Sequence, residues 1–212
     1  MRFRELLLAH TSTIASLADW QINDLEKHFL LLQRWNKKIN LTRIEEVEKI
    51  VLRHYCESIA LGQALPFGHL HVMDAGSGAG FPGIPLAITR PDCTVYLVES
   101  DGRKAAFLRE AVVESRNCRV IRSRLESVLQ EAEWVVGRAV RWQEIVALAG
   151  RVGDHVGLML GAEAVEELRA SPVVVDGRRV SWDEPMQLPW GDHRFVLLGH
   201  FPTGSSSKLE KE

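Results

Sequence analysis

The chain has 212 residues, of which 46% are hydrophobic and 25% charged, and its formal net charge is −2. That composition fits a soluble globular protein of one domain with an extra segment, or of two small domains. It excludes a uniformly basic nucleic-acid coat, so any RNA contact has to rest on a local patch. Cys56, Cys93 and Cys118 are odd in number and widely spaced. They make neither a disulfide framework nor a zinc site, which predicts a metal-free protein in the reducing cytoplasm. Arg2, Arg4 and Glu5 interrupt the start, against a signal peptide, and no apolar run is long enough to span a bilayer.

Residues 3–62 read as helical. Leu6, Leu7, Ile14 and Leu17 recur at helix-like spacing. A second period runs Leu25, Phe29, Leu32, Trp35, with Asn23 or Asp24 as its cap. A third runs Val47, Ile50, Val51, His54, Ser58, Leu61 and ends at Gly62, the first glycine in the chain. From residue 70 strands and helices alternate. Strands are predicted over 70–75, 94–99, 119–122, 134–138, 152–160 and 194–199. Helices are predicted over 82–89, 103–115, 125–130 and 141–149. That order implies a mostly parallel sheet wrapped by helices. A short helix over 162–168 follows, and Asp176-Gly177 is a hairpin signal, so an antiparallel edge should end the sheet. The organisation expected is a helical lobe over 1–66, an α/β domain over 67–202 and a mobile tail over 203–212.

The chemistry sits in Asp74-Ala-Gly76-Ser-Gly78-Ala-Gly80-Phe81-Pro82-Gly83, between the first strand and its helix. Four glycines within eight residues let backbone approach a ligand where any Cβ would clash. Gly78-Ala-Gly80-Phe-Pro-Gly83 also fits the dinucleotide pattern, which alone is weak and leaves an NAD-dependent oxidoreductase as an alternative. Two features favour S-adenosylmethionine. Asp74 precedes the loop, in the D-x-G-x-G-x-G order usual for methyltransferases that use that cofactor. Pro82 and Pro85 fall in the first helical turn, where proline donates no N–H. A pyrophosphate needs those N–H groups; S-adenosylmethionine has no phosphate to hold.

Glu99 closes the second strand, where a carboxylate can accept the ribose hydroxyls of an adenosine in either cofactor. Ser123-Arg-Leu125-Glu126 follows the third strand. Leu125 could pack on the adenine and Glu126 meet its amine; equally, Ser123 and Glu126 could form a capping box, and the two readings are compatible. Arg138, in Gly137-Arg138-Ala139, closes the fourth strand, where methyl donor should meet acceptor. The motif holds no Asn-Pro-Pro-Tyr and no Pro-Cys nucleophile. An acceptor that needs no deprotonation, such as guanine N7, suits that absence.

These residues carry a resemblance. Leu32-Gln-Arg-Trp35-Asn36-Lys37-Lys-Ile-Asn40-Leu-Thr42, Arg53-His54-Tyr-Cys-Glu57-Ser58-Ile59 and the loop with its Phe81-Pro-Gly-Ile-Pro85 extension, in that order, resemble the ribosomal RNA small subunit methyltransferase G family, also called glucose-inhibited division protein B. The resemblance implies a class I S-adenosylmethionine-dependent methyltransferase fold, with an antiparallel C-terminal strand and a small helical lobe. It implies methyl transfer to N7 of a guanosine in 16S ribosomal RNA, by a monomer acting on that RNA or on the small ribosomal subunit. By position, Asp74, Gly76, Gly78, Gly80, Phe81, Glu99, Leu125, Glu126 and Arg138 would bind cofactor. Arg138 would also position the reactants, and His54, Ser58 and Arg194 would meet the substrate. Trp35, Asn36, Asn40 and Thr42 read as core and turn residues that fold the lobe against the sheet.

The chain departs from the family in its second half. Leu160 stands where a lysine is usual, Gly199 where another is, and Gly137 where serine is. Each lost lysine should remove a phosphate contact and flatten the salt dependence of RNA binding. A divergent paralogue that binds S-adenosylmethionine without the family's reaction is therefore the alternative. Arg34, Lys37, Lys38, Arg43, Arg53, Arg122, Arg124, Arg138 and Arg141 remain as a candidate basic patch.

Overall fold

The computed structural model describes residues 2–138, 140–190 and 193–202, and the expected tail lies outside them. The lobe is built from α1 (Arg2–Thr11), α2 (Asp19–Asn36), α3 (Val47–Ile50), a π-helical turn (Val51–Cys56) and α4 (Glu57–Ala64). Ile22, Leu25, Phe29 and Leu32 line one buried stripe of α2 at helical spacing. Asn23 and Asp24 do not cap it. The helix starts at Asp19, and the Ala18 N–H is held by the Gln21 side chain at 2.9 Å. Gly62 does not end the third helix either, which continues to Ala64.

The α/β part runs β1 (His71–Ala75), α5 (Gly83–Thr89), β2 (Thr94–Val98), α6 (Gly102–Ala111), β3 (Cys118–Ile121), β4 (Trp134–Arg138), α7 (Trp142–Val152), β5 (His155–Gly161) and α8 (Ala162–Ala170). Short strands β6 (Val174–Val175), β7 (Arg178–Arg179), β8 (Ser181–Trp182) and β9 (Met186–Gln187) precede β10 (Arg194–His200). The main sheet has the order β3-β2-β1-β4-β5-β10-β8, with β9 also on β10. Its first five strands are parallel and β10 is antiparallel to β5. The Asp176-Gly177 hairpin forms, with both residues at positive φ. It pairs β6 with β7 in a separate sheet, so the antiparallel edge of the main sheet comes from β10 and β8 instead. The predicted helix over 125–130 shrinks to one 3-10 turn, Leu125–Ser127. The Arg151 guanidinium takes the Leu125 and Glu126 carbonyls at 2.5 and 3.0 Å, so they are already engaged where a longer helix would use them.

Alternation along the strands makes two cores. Val72, Val95, Leu97 and Val136 share one apolar cluster with Ile84, Phe107 and the lobe residues Leu7, Leu25 and Tyr55. Met73, Val98, Val135 and Val156 face Ile145, Leu148 and Leu168 on the other side. β1 lies between β2 and β4, so the strand order reverses there. A ligand crevice is expected at the carboxyl ends of β1 and β4.

Lobe and sheet are stapled by Arg90, which is 4% exposed. Its guanidinium donates to the carbonyls of Gly62, Leu65 and Pro66 at 2.8, 3.3 and 2.7 Å and pairs with Asp92 at 2.8 Å. Gly62 and Leu65 are carbonyls that the end of α4 would otherwise leave orphaned. Arg90→Leu should cost about 3 kcal/mol in urea unfolding, since buried acceptors stay unsatisfied; a loss under about 0.5 kcal/mol, the size of a neutral surface change, would contradict this account.

Candidate functional site

A cleft of about 730 Å³ opens at the predicted crevice. Gly76, Gly78, Phe81, Glu99, Leu125, Glu126, Arg138 and His54 all line it. Asp74, Gly80, Ser58 and Arg194 do not. A larger groove of about 1040 Å³ runs between α2 and the end of α6; of the predicted basic patch it holds Arg34, and it contains none of the residues predicted to bind cofactor or substrate. Its charges are largely engaged with one another, as in Arg34–Glu110 and Lys27–Asp24. The smaller cleft gathers unpaired polar groups around a backbone loop, which is what a specific ligand requires.

The loop is shaped from beneath. Gly76, Gly78 and Gly80 have φ of +70°, +55° and +85°, a region L side chains rarely adopt. A Cβ on Gly83 would fall 2.3 Å from Leu97 Cδ2 and 2.7 Å from Asp74 Oδ2. Asp74 is fully buried, and its Oδ2 accepts the Gly83 N–H at 2.9 Å while Oδ1 has no partner. Burial pushes its carboxyl up to about 7. The structure thus places Asp74 under the loop as a brace, not in the cleft. Glu99 lies at the rim of β2. Its Oε2 accepts the Gly78 N–H at 3.0 Å and its Oε1 the Asp101 N–H at 2.8 Å. Each oxygen keeps a free lone pair for a hydroxyl in the cleft. The capping box of Ser123 and Glu126 does not form; the Ser123 hydroxyl donates to the Arg124 carbonyl instead. That leaves the exposed Glu126 side chain unbonded at the cleft edge.

The π-helical turn supplies the opposite wall. His54 stacks on Phe81, with ring centroids 4.6 Å apart and 16° between planes. Arg138 Nη1 donates to His54 Nδ1 at 2.7 Å and to the Arg53 carbonyl. Because Nδ1 accepts, the imidazole proton sits on Nε2, which donates to Thr42 Oγ1 at 2.9 Å. Asn36 shapes the turn that delivers Thr42, with Oδ1 accepting from the Leu41 and Thr42 N–H groups. Burial, then the neighbouring Arg138 charge, drives His54 down to about 3. Burial also pulls Arg138 down to about 10, so it stays charged at neutral pH. Behind this wall Glu57, 2% exposed, receives Arg194 at 3.1 Å and Arg53 at 3.4 Å. Arg194 therefore reaches the site through Glu57. Ser58 is fully buried and its hydroxyl donates to the His54 carbonyl, so it offers no surface to a substrate.

Sequence reading missed three of these groups. Glu57 passed as part of a motif, while His28 and Tyr55 look like core residues at helical spacing. His28 Nε2 lies 3.1 Å from the Ala79 carbonyl and Nδ1 lies 2.8 Å from the Tyr55 hydroxyl. The basic patch also sorts itself. Arg34, Arg53 and Arg141 pair with Glu110, Glu57 and Glu144. Arg43, Lys104 and Arg124 line the cleft, and a recess that shares Lys104 adds Lys38 and Arg103. None of these five makes an ion pair among the described residues.

Two departures have local causes. A Cβ at Gly137 would fall 2.5 Å from Ile145 Cδ1, and one at Gly199 2.5 Å from the Trp182 ring. Ile145 and Trp182 fill the space that larger residues would need.

The family model for rRNA small subunit methyltransferase G matches residues 21–175. A curated relative of that name from Xanthomonas axonopodis pv. citri is 40% identical over 184 residues, covering 82% of this chain and 84% of the relative. One from Roseiflexus is 34% identical over 194 residues, covering 84% and 82%. Among solved structures, a putative transferase of Pyrococcus horikoshii superposes with a TM-score of 0.54 at 16% identity, over 77% of this chain and 66% of that one. A predicted O-methyltransferase of Agrobacterium tumefaciens gives 0.52 at 18%, over 69% and 81%. At such identities the structures show the fold alone, and the fold is that of class I methyltransferases. The sequence relatives set aside the dinucleotide oxidoreductase. The chain belongs to the rRNA small subunit methyltransferase G family, a family of S-adenosylmethionine-dependent enzymes.

Proposed function

We propose that this chain transfers the methyl group of S-adenosylmethionine to N7 of a guanosine in 16S ribosomal RNA, as a monomer acting in the cytoplasm on the small-subunit RNA. The observation that carries the acceptor is His54. It is the only imidazole lining the cleft among the described residues, and both of its nitrogens are bonded. Held neutral down to about pH 3, it has no free site to take a proton. Guanine N7 needs no base, because its lone pair lies free in the ring plane. That lone pair forms the new N–C bond as the C–S bond breaks. The sulfonium becomes the neutral thioether of S-adenosylhomocysteine and the positive charge passes to the methylated guanine. Catalysis is then positioning.

In this reading Glu99 accepts the ribose hydroxyls, Leu125 covers the adenine and Glu126 meets its amine. Gly76, Gly78 and Phe81 line the methionine side, with Gly80 and Asp74 fixing the loop behind them. Arg138 spends Nη1 on His54 and Arg53 and turns its remaining N–H groups to the reactants. Lys38, Arg43, Arg103, Lys104 and Arg124 follow the RNA backbone around the mouth.

Purified protein should bind S-adenosylhomocysteine in a calorimeter, and no heat of binding would sink the proposal. Arg138→Ala should slow methylation of small-subunit RNA about 100-fold, the scale of a lost alignment; an unchanged rate would remove Arg138 from its role. Replacing Arg43 or Arg124 by alanine should flatten the slope of log affinity against log salt by about one each. Arg141→Ala, whose charge already has a partner, should leave that slope alone.

Stability should report Asp74 separately. Its folded pKa, about 7, stands above the ordinary 3.8, so the folded state binds this proton more tightly than the unfolded chain. The contribution is full below about pH 3.8 and is lost as pH rises through 7. His28 and His54 run the other way. Lowered from 6.5 to about 4 and about 3, they stabilise fully above 6.5 and less as pH falls. Asp74→Asn keeps an acceptor for Gly83 and removes only the first dependence. The melting temperature of the variant relative to wild type should therefore climb between pH 5 and pH 8, and a flat difference would refute the buried carboxyl.

A further inference from the structure

We propose that His28, with Tyr55 behind it, is a positioning residue for methyl transfer: its Nε2–H holds the Ala79 carbonyl and sets the glycine loop in its binding shape before the cofactor arrives. The inference rests on the reading of the cleft as the cofactor site. His28 is on α2, 51 residues from the loop it touches. A carbonyl can only accept, so the proton on His28 sits on Nε2. Nδ1 is then an acceptor, and the fully buried Tyr55 hydroxyl at 2.8 Å is its donor. One tautomer satisfies both bonds. The ring is clamped by Tyr55, Phe81 and Phe107, with centroids 5.7, 5.2 and 5.9 Å away. Gly80 leaves it room, since a Cβ there would stand 3.3 Å from Nε2.

Packing alone does not call for a histidine here. Phe3, Phe29 and Phe107 fill the same cluster without burying a polar group. A buried imidazole is unfavourable unless both nitrogens are satisfied, and one of these two bonds ends on a residue that lines the cleft. Burial drives the ring down to about 4, so it is neutral and able to accept from Tyr55 across the physiological range. The lobe thereby fixes the one carbonyl between Gly78 and Gly80.

The test compares His28→Phe, His28→Gln and Tyr55→Phe by calorimetry with S-adenosylhomocysteine and by kinetics on small-subunit RNA. His28→Phe should weaken S-adenosylhomocysteine about tenfold and raise KM for S-adenosylmethionine alike, the effect of one lost buried hydrogen bond, with kcat within about twofold. His28→Gln carries an amide N–H near the Nε2 position and should recover most of the affinity. Tyr55→Phe leaves Nδ1 without its donor and should weaken binding about threefold, within the range of a single hydrogen bond. A cooperatively melting His28→Phe with unchanged affinity overturns the proposal, as does a glutamine variant no better than phenylalanine. If His28→Phe does not fold, unchanged affinity in Tyr55→Phe overturns it. If wild type itself binds no S-adenosylhomocysteine, the cofactor reading falls first and this inference with it.

Discussion

A loop of glycines cannot hold itself. Between Gly76 and Gly83 the chain has few side chains to pack, yet its backbone must keep a left-handed path at three positions. Such a segment would sample many states in isolation, and ordering it at the moment of binding would draw on binding energy. The protein fixes it beforehand with bonds from outside the segment. Glu99 holds the Gly78 N–H, Asp74 the Gly83 N–H, and Val98 accepts the Ser77 N–H. Each anchor comes from the carboxyl end of β1 or of its neighbour β2, on one side of the crevice that opens between β1 and β4. The fourth anchor, His28, comes from the lobe. The sheet and the lobe thus grip the same few residues from two sides, and every other feature of the site depends on where that grip leaves the loop.

The lobe does more than cover one face of the sheet. Its π-helical turn carries Arg53, His54, Tyr55 and Cys56 in succession. A π turn widens the helix locally and often marks a functional site. Here His54 is stacked on Phe81 while Tyr55, the next residue, bonds His28 inside the core. Trp35 adds an indole N–H bond to Glu110 on α6 at 2.9 Å, and Arg90 ties the end of α4 to the turn before β2. Lobe and sheet share one apolar cluster as a result.

The parts legible in the sequence are those fixed by near neighbours. The strands follow from apolar runs, and the loop from glycines that nothing else explains. The hairpin at Asp176-Gly177 forms because those residues tolerate positive φ, but its attachment to the main sheet was a tertiary matter and went elsewhere. What failed depends on distant partners. Arg151 intercepts two carbonyls and cuts a predicted helix to one turn. Gln21 starts α2 earlier than the better capping residues Asn23 and Asp24. Asp74 precedes the loop as any cofactor ligand would, and only its burial shows that it serves the backbone. His28 has the spacing of a core residue because it is one; its second role exists only where Ala79 meets it.

Charge completes the division of labour. Inside, the ionisable groups around and behind the cleft are kept neutral or compensated: His28 and His54 uncharged, Asp74 raised toward neutrality, and Glu57 set among Arg53 and Arg194. Arg138 is the exception, a half-buried cation with donors to spare beside the cleft. Outside, the cations at the mouth have no carboxylate partner among the described residues, while Arg4, Lys27, Arg34, Lys49 and Arg53 on the lobe and Arg141 before α7 are paired. A chain of net charge −2 can therefore present a positive rim without being basic overall. A polyanion feels local charge within roughly 10 Å at moderate salt, not the total. The missing lysines at Leu160 and Gly199 lie on β5 and β10, whereas the free cations come from the turn after α2, from α6 and from the segment after β3. The unpaired positive charge is carried on the side of the cleft that also builds the glycine loop, so rim and loop are held by one frame.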